Sequence, residues 1–270
     1  MRNSYKSTRL ICSFLVISML GAAAEEPKAL FQQAIQIMEK DPANRDINKA
    51  IFLLKHATAA WQAASSKDPD YVAALDYLAV SLMVQLRENA AEQDENKLAD
   101  FGEWIKRAAP YTKRALEISE SNPATDPDVL ALALELEAQL EGQQGRGAAL
   151  WDRAAKIRAQ RVAALSPKEL IVGPIVRAGE ANAVGPRSIS IPRPTYTRIA
   201  LLAQYTGVVQ LKAVVGVDGK AHNIELVRGL GFGLDEQAAK ALLLSRFEPG
   251  QKDGKPVPTG GDLEVKFQLN

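Results

Sequence analysis

From Pro27 to about Leu165, apolar residues recur at three- and four-residue spacing on a background of Ala, Leu, Glu, Lys and Gln, the spacing that gives an α-helix one buried stripe. The pattern predicts helices over 27–39, 47–65, 71–88, 96–119, 127–142 and 146–164. Asp41-Pro42, Asp68-Pro69, Asn122-Pro123 and Asp126-Pro127 interrupt it, because proline has no donor and disfavours helical geometry in the residue before it. Gly142 and Gly145 mark the remaining break. Ala50, Leu53, Leu54, Ala57 and Trp61 share one face, and Tyr71, Ala74, Leu75, Leu78 and Leu82 make the next. Six helices in three hairpins predict an array in which each pair buries its stripe against its neighbour.

Residues 166–193 lose that periodicity and carry Pro167, Gly173, Pro174, Gly179, Gly185, Pro186 and Pro192. They read as a linker, which as a flexible coil would span roughly 30 Å. Beyond Pro194 the period changes to two. Val209, Leu211, Ala213, Val215 and Val217 alternate with Val208, Gln210, Lys212, Val214 and Gly216, a half-buried strand. Asp218-Gly219 then gives a hairpin signal, since both turn positions need positive φ, and a second strand runs to about Arg228 with Ile224 and Leu226 inward. Gly229, Gly231 and Gly233 turn the chain into a helix from Asp235 to about Ser245, with acidic residues at its positive end and Ala238, Ala241, Leu242 and Ser245 as its buried stripe. Phe247 and Pro249 end the helix, and Gly250 to Gly261 reads as a loop. Leu263, Val265, Phe267 and Leu269 alternate with Glu264, Lys266 and Gln268 in a last strand. With a short helix after Pro194, these elements predict an α+β unit folded over one face of a three-stranded antiparallel sheet.

The chain of 270 residues has room for two such units and a leader. Its hydrophobic share of 47% is enough to fill a core, and a formal net charge of +1 leaves no basic stripe for nucleic acid. Arg2, Lys6 and Arg9, the apolar run Leu10 to Leu20 and the small residues Ala22-Ala23-Ala24 read as a signal peptide over 1–24. The apolar run falls short of the roughly 20 residues that cross a bilayer. Cleavage would leave no membrane span and a mature chain starting near Glu25, in the periplasm; an uncleaved inner-membrane anchor is the alternative. Cys12, the one cysteine, lies in this leader, so the mature chain has neither a disulfide framework nor a thiolate metal site.

Catalytic chemistry finds little support in the residues. His56 and His222 fall in different units, and no Gly-x-Ser-x-Gly elbow, His-Glu-x-x-His helix or phosphate-cradling loop occurs. The glycines of Gly229-Leu230-Gly231-Phe232-Gly233 read as turn geometry, because they lack the strand-loop-helix setting with a lysine that phosphate binding would need. Glu135 and Glu137, two apart, do not share a helix face and read as solvated. Tyr196 and Arg246 are candidate surface recognition residues, and Trp61, Trp104 and Trp151 read as core or repeat-face residues. No catalytic residue, metal ligand or cofactor is assigned, and a periplasmic hydrolase ranks third among the functional readings.

Two resemblances add to this. The alternation of small and large residues on the helix faces resembles tetratricopeptide repeats, although a strict period of about 34 residues does not fit and a generic helical bundle stays open. The second is closer: Pro194-Thr195-Tyr196, Gly207-Val208-Val209, Val217-Asp218-Gly219, Gly233-Leu234-Asp235, the alanines 238, 239 and 241, Arg246-Phe247-Glu248-Pro249, Gly254-Lys255-Pro256-Val257 and Val265-Lys266-Phe267 stand in the order and spacing of TonB-family C-terminal domains. Thr197 departs from that pattern, where many members carry proline. The long Pro-rich spacer of energy-transducing members is also missing, a helical domain standing in its place. The domains are then a signal peptide at 1–24, a helical repeat-like domain at 25–165, the linker at 166–193 and a TonB-like domain at 194–270.

What the family resemblance implies is a non-enzymatic protein-binding module. An extended peptide from an outer-membrane transporter would add to the edge of the last strand by β-augmentation. Glu264, Lys266 and Gln268 would neighbour that peptide, and Val265 and Phe267 would hold the strand to the core. Homodimer pairing is another use of the same edge, and a membrane-anchored TonB-type energy transducer is the alternative function. The helical domain would present a face to a further protein partner.

Overall fold

Proline sets three of the helix starts. The computed structural model describes residues 26–93, 101–142, 145–166, 171, 173–177 and 180–269, and the expected leader lies outside them. Helix α1 (Pro27–Met38), a 3-10 turn at Pro42–Asn44, α2 (Ile47–Ala63), α3 (Pro69–Gln93), α4 (Phe101–Ser121), α5 (Pro127–Glu141) and α6 (Arg146–Leu165) follow one another. Pro27, Pro69 and Pro127 each occupy the first helical position, where the missing N–H costs nothing. Asp46 and Asp126 cap α2 and α5 by accepting backbone N–H bonds from Lys49 at 2.9 Å and Asp128 at 2.7 Å.

Each helix packs against the next in sequence. Trp61, Tyr71, Leu78, Trp104 and Leu134 are buried between them, and the Trp104 indole donates to the Ala79 carbonyl at 2.8 Å, tying α4 to α3. The six helices run from 12 to 25 residues, so the array is uneven. None of the described helices is long and apolar enough to cross a membrane.

Within the stretch expected as a linker the chain forms three strands, β1 (Val176–Arg177), β2 (Ala183–Val184) and β3 (Arg187–Ser190). They precede α7 (Arg198–Leu202), β4 (Gly207–Val215), β5 (Ala221–Arg228), α8 (Leu234–Leu244), β6 (Arg246–Glu248), β7 (Gln251–Lys252), β8 (Lys255–Pro256) and β9 (Thr259–Phe267). The main sheet has the order β1-β9-β4-β5, four strands and not three, with β1 parallel to β9 and the other pairs antiparallel. Smaller sheets pair β2 with the β7-β8 hairpin and β3 with β6. Strands of two to four residues are too short to display a two-residue period, and their partners lie some 60 to 80 residues away. β9 also begins earlier than expected, because Gly260 and Gly261 offer no side chain to alternate. Val209, Leu211, Ala213, Val215, Ile224, Val265 and Phe267 point into the core under α8, whose stripe of Ala238, Ala241, Leu242 and Ser245 is buried as expected.

The two units share one apolar cluster. α3 meets α7, and α6 meets both α8 and β5. Arg87 in α3 donates to the Gln204 side chain at 2.7 Å and to the Ala203 carbonyl at 3.1 Å, both just past α7. All three tryptophans lie in the helical unit. Urea unfolding followed by tryptophan fluorescence is therefore expected to coincide with the loss of amide-exchange protection in β4 and β9, because a continuous core unfolds as one block. Separate midpoints would mean that the shared cluster does not couple the units.

Candidate functional site

β4 occupies the centre of the main sheet and fixes the exposure of β9. Its register with β9 is unbroken from Gly207 opposite Phe267 to Val215 opposite Thr259. On the other side of β9, β1 pairs only at Thr259 and Gly260. The Val176 N–H donates to the Pro258 carbonyl at 2.9 Å, so the backbone groups of that residue face away from β4. Backbone direction alternates along a strand, and without a bulge the N–H and C=O of Asp262, Glu264 and Lys266 face away from β4 as well. Among the described residues no strand pairs with them.

The side chains of the same run sort by parity. Val265 and Phe267 are buried, whereas Glu264, Lys266 and Gln268 are exposed, Gln268 lying just beyond the end of β9. The Tyr196 ring meets Phe267 edge-on at 5.3 Å, and Gln210 on β4 donates to Glu264 at 3.3 Å. The opposite edge of the sheet is different. The Ile224 N–H of β5 donates to the hydroxyl of Ser166, the residue that ends α6, at 3.1 Å, and α6 packs along the strand. One edge is capped by the protein's own helix and the other is left open past Gly260.

A buried charge cluster holds the units in this relation. Arg158 of α6 is 3% exposed and grips Glu135 of α5 with two N–H donors, Nε to Oε1 at 2.8 Å and Nη2 to Oε2 at 3.0 Å. Glu135 Oε2 also accepts the backbone N–H of Phe232, across the unit boundary, at 2.7 Å. Arg158 Nη1 reaches Glu236 of α8 at 3.4 Å and Asp128 at 3.3 Å, and Arg161 holds Asp128 at 2.6 Å. Gly231, Phe232 and Gly233 all have positive φ, which turns the Phe232 N–H toward Glu135 and buries its ring 4.6 Å from Tyr205. Asp235 closes the loop by accepting from the Leu230 N–H at 2.7 Å and the Gly231 N–H at 3.1 Å. Thr197 joins in by donating to the Phe232 carbonyl at 2.6 Å while capping α7 through Ala200.

Burial dominates the titration of this cluster. Asp76 of α3 is fully buried, neither of its oxygens has a hydrogen-bond partner, and burial with Glu135 nearby raises its pKa well above the usual carboxylate range. Burial raises Asp235 to about 6 against the pull of its two N–H donors, and it raises Glu236 against the attraction of Arg158. Burial alone would lower the Arg158 pKa, but Glu135, Glu236 and Asp128 more than reverse that. A cleft of about 360 Å³ opens beside the cluster, lined in part by Arg158, Arg161, Glu236 and Lys240. A second, of about 420 Å³, is aromatic, with Trp104, Trp151, Tyr205 and Phe232 on its walls. No group of three His, Cys, Asp or Glu among the described residues is placed to hold a metal ion.

Residues 192–269 match the family model of the Gram-negative bacterial TonB protein C-terminal region. The carboxy-terminal unit is a TonB-family C-terminal domain. A solution NMR structure of the Pseudomonas aeruginosa TonB CTD is similar at 19% identity, covering 36% of this chain and 97% of that one, with a TM-score of 0.29. No curated protein matches the chain. The family match begins at Pro192, so β1, β2 and β3, which pair with β9, β7 and β6 of the TonB-type domain, lie before it.

Sequence reasoning places Glu264 to Gln268 together on this domain, and it misses the cluster that fixes the domain to the helices. Glu135 and Glu137 are buried, not solvated. They do lie on different faces of α5, yet α5 is covered on both: Glu135 meets Arg158 of α6, and Glu137 accepts from Thr112 of α4 at 2.7 Å. Arg158, the one buried arginine among the described residues, carries no pattern that marks it.

Replacing Arg158 by Met leaves Glu135 and Glu236 buried without their cation and is expected to lower stability by about 3–5 kcal/mol in urea titrations. Adding Glu135→Leu should recover much of that loss, and if the double variant is no more stable than Arg158→Met alone, the pair is not the coupled unit described. Asp235 gives a pH signature. Its folded pKa of about 6 lies above the unfolded 3.8, so its contribution is fully present below 3.8 and is lost as pH rises through about 6, a change on the order of 3 kcal/mol. Asp235→Asn should flatten the stability profile between pH 4 and 7 by about that amount, and an unchanged slope would remove Asp235 as its source.

Proposed function

We propose that the TonB-type domain is a protein-binding module that captures an extended peptide by adding it as a strand to the open side of β9. One observation supports this most: a sheet with β5 capped by Ser166 and α6, and β9 unpaired past Gly260 among the described residues. Backbone N–H and C=O of Asp262, Glu264 and Lys266 would supply the hydrogen bonds, and the exposed side chains of Glu264, Lys266 and Gln268 the selectivity. Val265 and Phe267 anchor the strand from the buried side, Phe267 against Tyr196. The partner is a protein, and in this reading an unpaired segment of an outer-membrane transporter.

The helical domain, read as residues 25–165 with a tetratricopeptide-like character, serves as the holder of the module. The leader pattern at 1–24 supports a periplasmic location for both. Pairing of β9 with β9 of a second copy is the competing use of the edge, and it would give a concentration-dependent dimer where peptide capture would not.

Because the outward N–H belongs to even positions, Lys266→Pro removes a donor from the free edge and none from the β4 ladder. It is expected to weaken binding of transporter-derived extended peptides by about tenfold or more with the unfolding midpoint little changed. Lys266→Ala should alter that affinity by less than about threefold. Equal losses in the two variants, measured by fluorescence anisotropy, would mean that the side chain and not the backbone makes the contact.

A further inference from the structure

The strands before the family match carry a surface that strand capture by β9 does not use. Val184, Ile189 and Ile191 are 67%, 64% and 53% exposed, and Leu244 at the end of α8 is 68% exposed. β3 pairs with β6 through Ser190 opposite Arg246, which brings the end of α8 beside Ile189 and Ile191. Arg187 and Arg193, in and just past β3, and Arg246 in β6 are exposed as well. Among the described residues Arg187 and Arg193 form no ion pair, and Arg246 donates only to the neighbouring Ser245 carbonyl at 2.9 Å. Over 183–194 and 244–249 the charged residues are these three arginines and Glu248. Glu248 stands directly opposite Arg187 across the β3–β6 pair, so the stretch keeps a local excess of cations beside its exposed aliphatic side chains on a chain whose net charge is only +1.

Isolated exposed aliphatic residues are ordinary, but several within one short stretch that also carries an excess of arginine are not. Pro186, Pro192 and Pro194 flank β3 and blunt it against adding another strand, which argues against an extended peptide as the occupant. None of these side chains lines either cleft described above, so they offer a protruding surface and not a groove. Protruding aliphatic groups among cations match the interface of an anionic bilayer, where the apolar groups enter the headgroup boundary and the guanidinium groups meet lipid phosphates. We propose that the strip from Val184 to Arg193, with Leu244 and Arg246 of the adjoining α8–β6 junction, docks on an anionic lipid surface.

The test is flotation of the full chain with vesicles of phosphatidylglycerol and phosphatidylcholine in equal parts, against vesicles of phosphatidylcholine alone. Both variants keep the leader, so its contribution cancels in the comparison. Wild-type protein is expected to float with the anionic vesicles and much less with the neutral ones. Arg187→Gln with Arg193→Gln should weaken that binding by about twenty-five-fold, since each arginine near such a surface contributes about fivefold. Ile189→Ser with Ile191→Ser should also weaken it, with salt dependence retained. Circular dichroism checks the fold, and all four side chains are exposed, so loss of folding is not expected. Equal flotation of the wild type on both vesicle types, or flotation of both variants at the wild-type level, overturns the proposal. So does capture of a polyglutamate peptide without vesicle binding, which would assign the surface to an acidic protein.

Discussion

The bidentate contact between Arg158 and Glu135 is the constraint on which the arrangement of the molecule depends. A guanidinium and a carboxylate out of water each lose several kcal/mol of solvation, and attraction restores it only where geometry and hydrogen bonding are complete. Glu135 accepts three donors, two from Arg158 and one from the Phe232 backbone. That third donor can be supplied only if the 229–233 loop of the TonB-type domain sits against α5. Displacing the domain would leave a buried carboxylate short of a bond, so the ion pair selects one docking orientation more than it adds stability.

That orientation decides which sheet edge meets solvent. With the loop seated on α5, α6 runs along β5 and Ser166 occupies its Ile224 donor. β1, drawn from the chain between the units, covers the first two residues of β9 and stops. An exposed sheet edge is normally guarded against unwanted pairing, and here two of the possible approaches are blocked by the protein's own elements. The face of the helical array formed by α3, α5 and α6 is accordingly occupied by the TonB-type domain.

The elements legible in the sequence are those whose signal is local. The Asp218-Gly219 hairpin, the alternation of Leu263 to Leu269 and the alanine stripe of α8 each lie within about ten residues, and their burial follows the pattern. The candidate edge residues were legible for the same reason, since Val265 and Phe267 differ from Glu264 and Lys266 by parity alone. What escaped depends on partners far away in the chain. β1, β2 and β3 are strands only because β9, β7 and β6 accept them, and nothing in Val176-Arg177 or Ala183-Val184 distinguishes them from loop. Glu135 and Glu137 obey the helix-face rule and still defeat the inference drawn from it, because a charged residue on an α5 covered from both sides is buried whichever face it takes.

The same cluster carries more carboxyl groups than cations. Asp128, Glu135 and Glu236 meet Arg158 or Arg161, Asp76 and Asp235 are buried within reach of the Glu135 charge, and the amides of 230–232 can offset charge only as dipoles. Five carboxylates around two guanidinium groups would repel one another in a medium of low polarity, so protons must make up part of the balance. Asp76, with no partner for either oxygen, is the group most favoured to hold one as the neutral acid, and Asp235 follows. The seating of the TonB-type domain is thus linked to proton concentration through the same groups that fix its orientation, in the direction that acid tightens the contact and alkali loosens it.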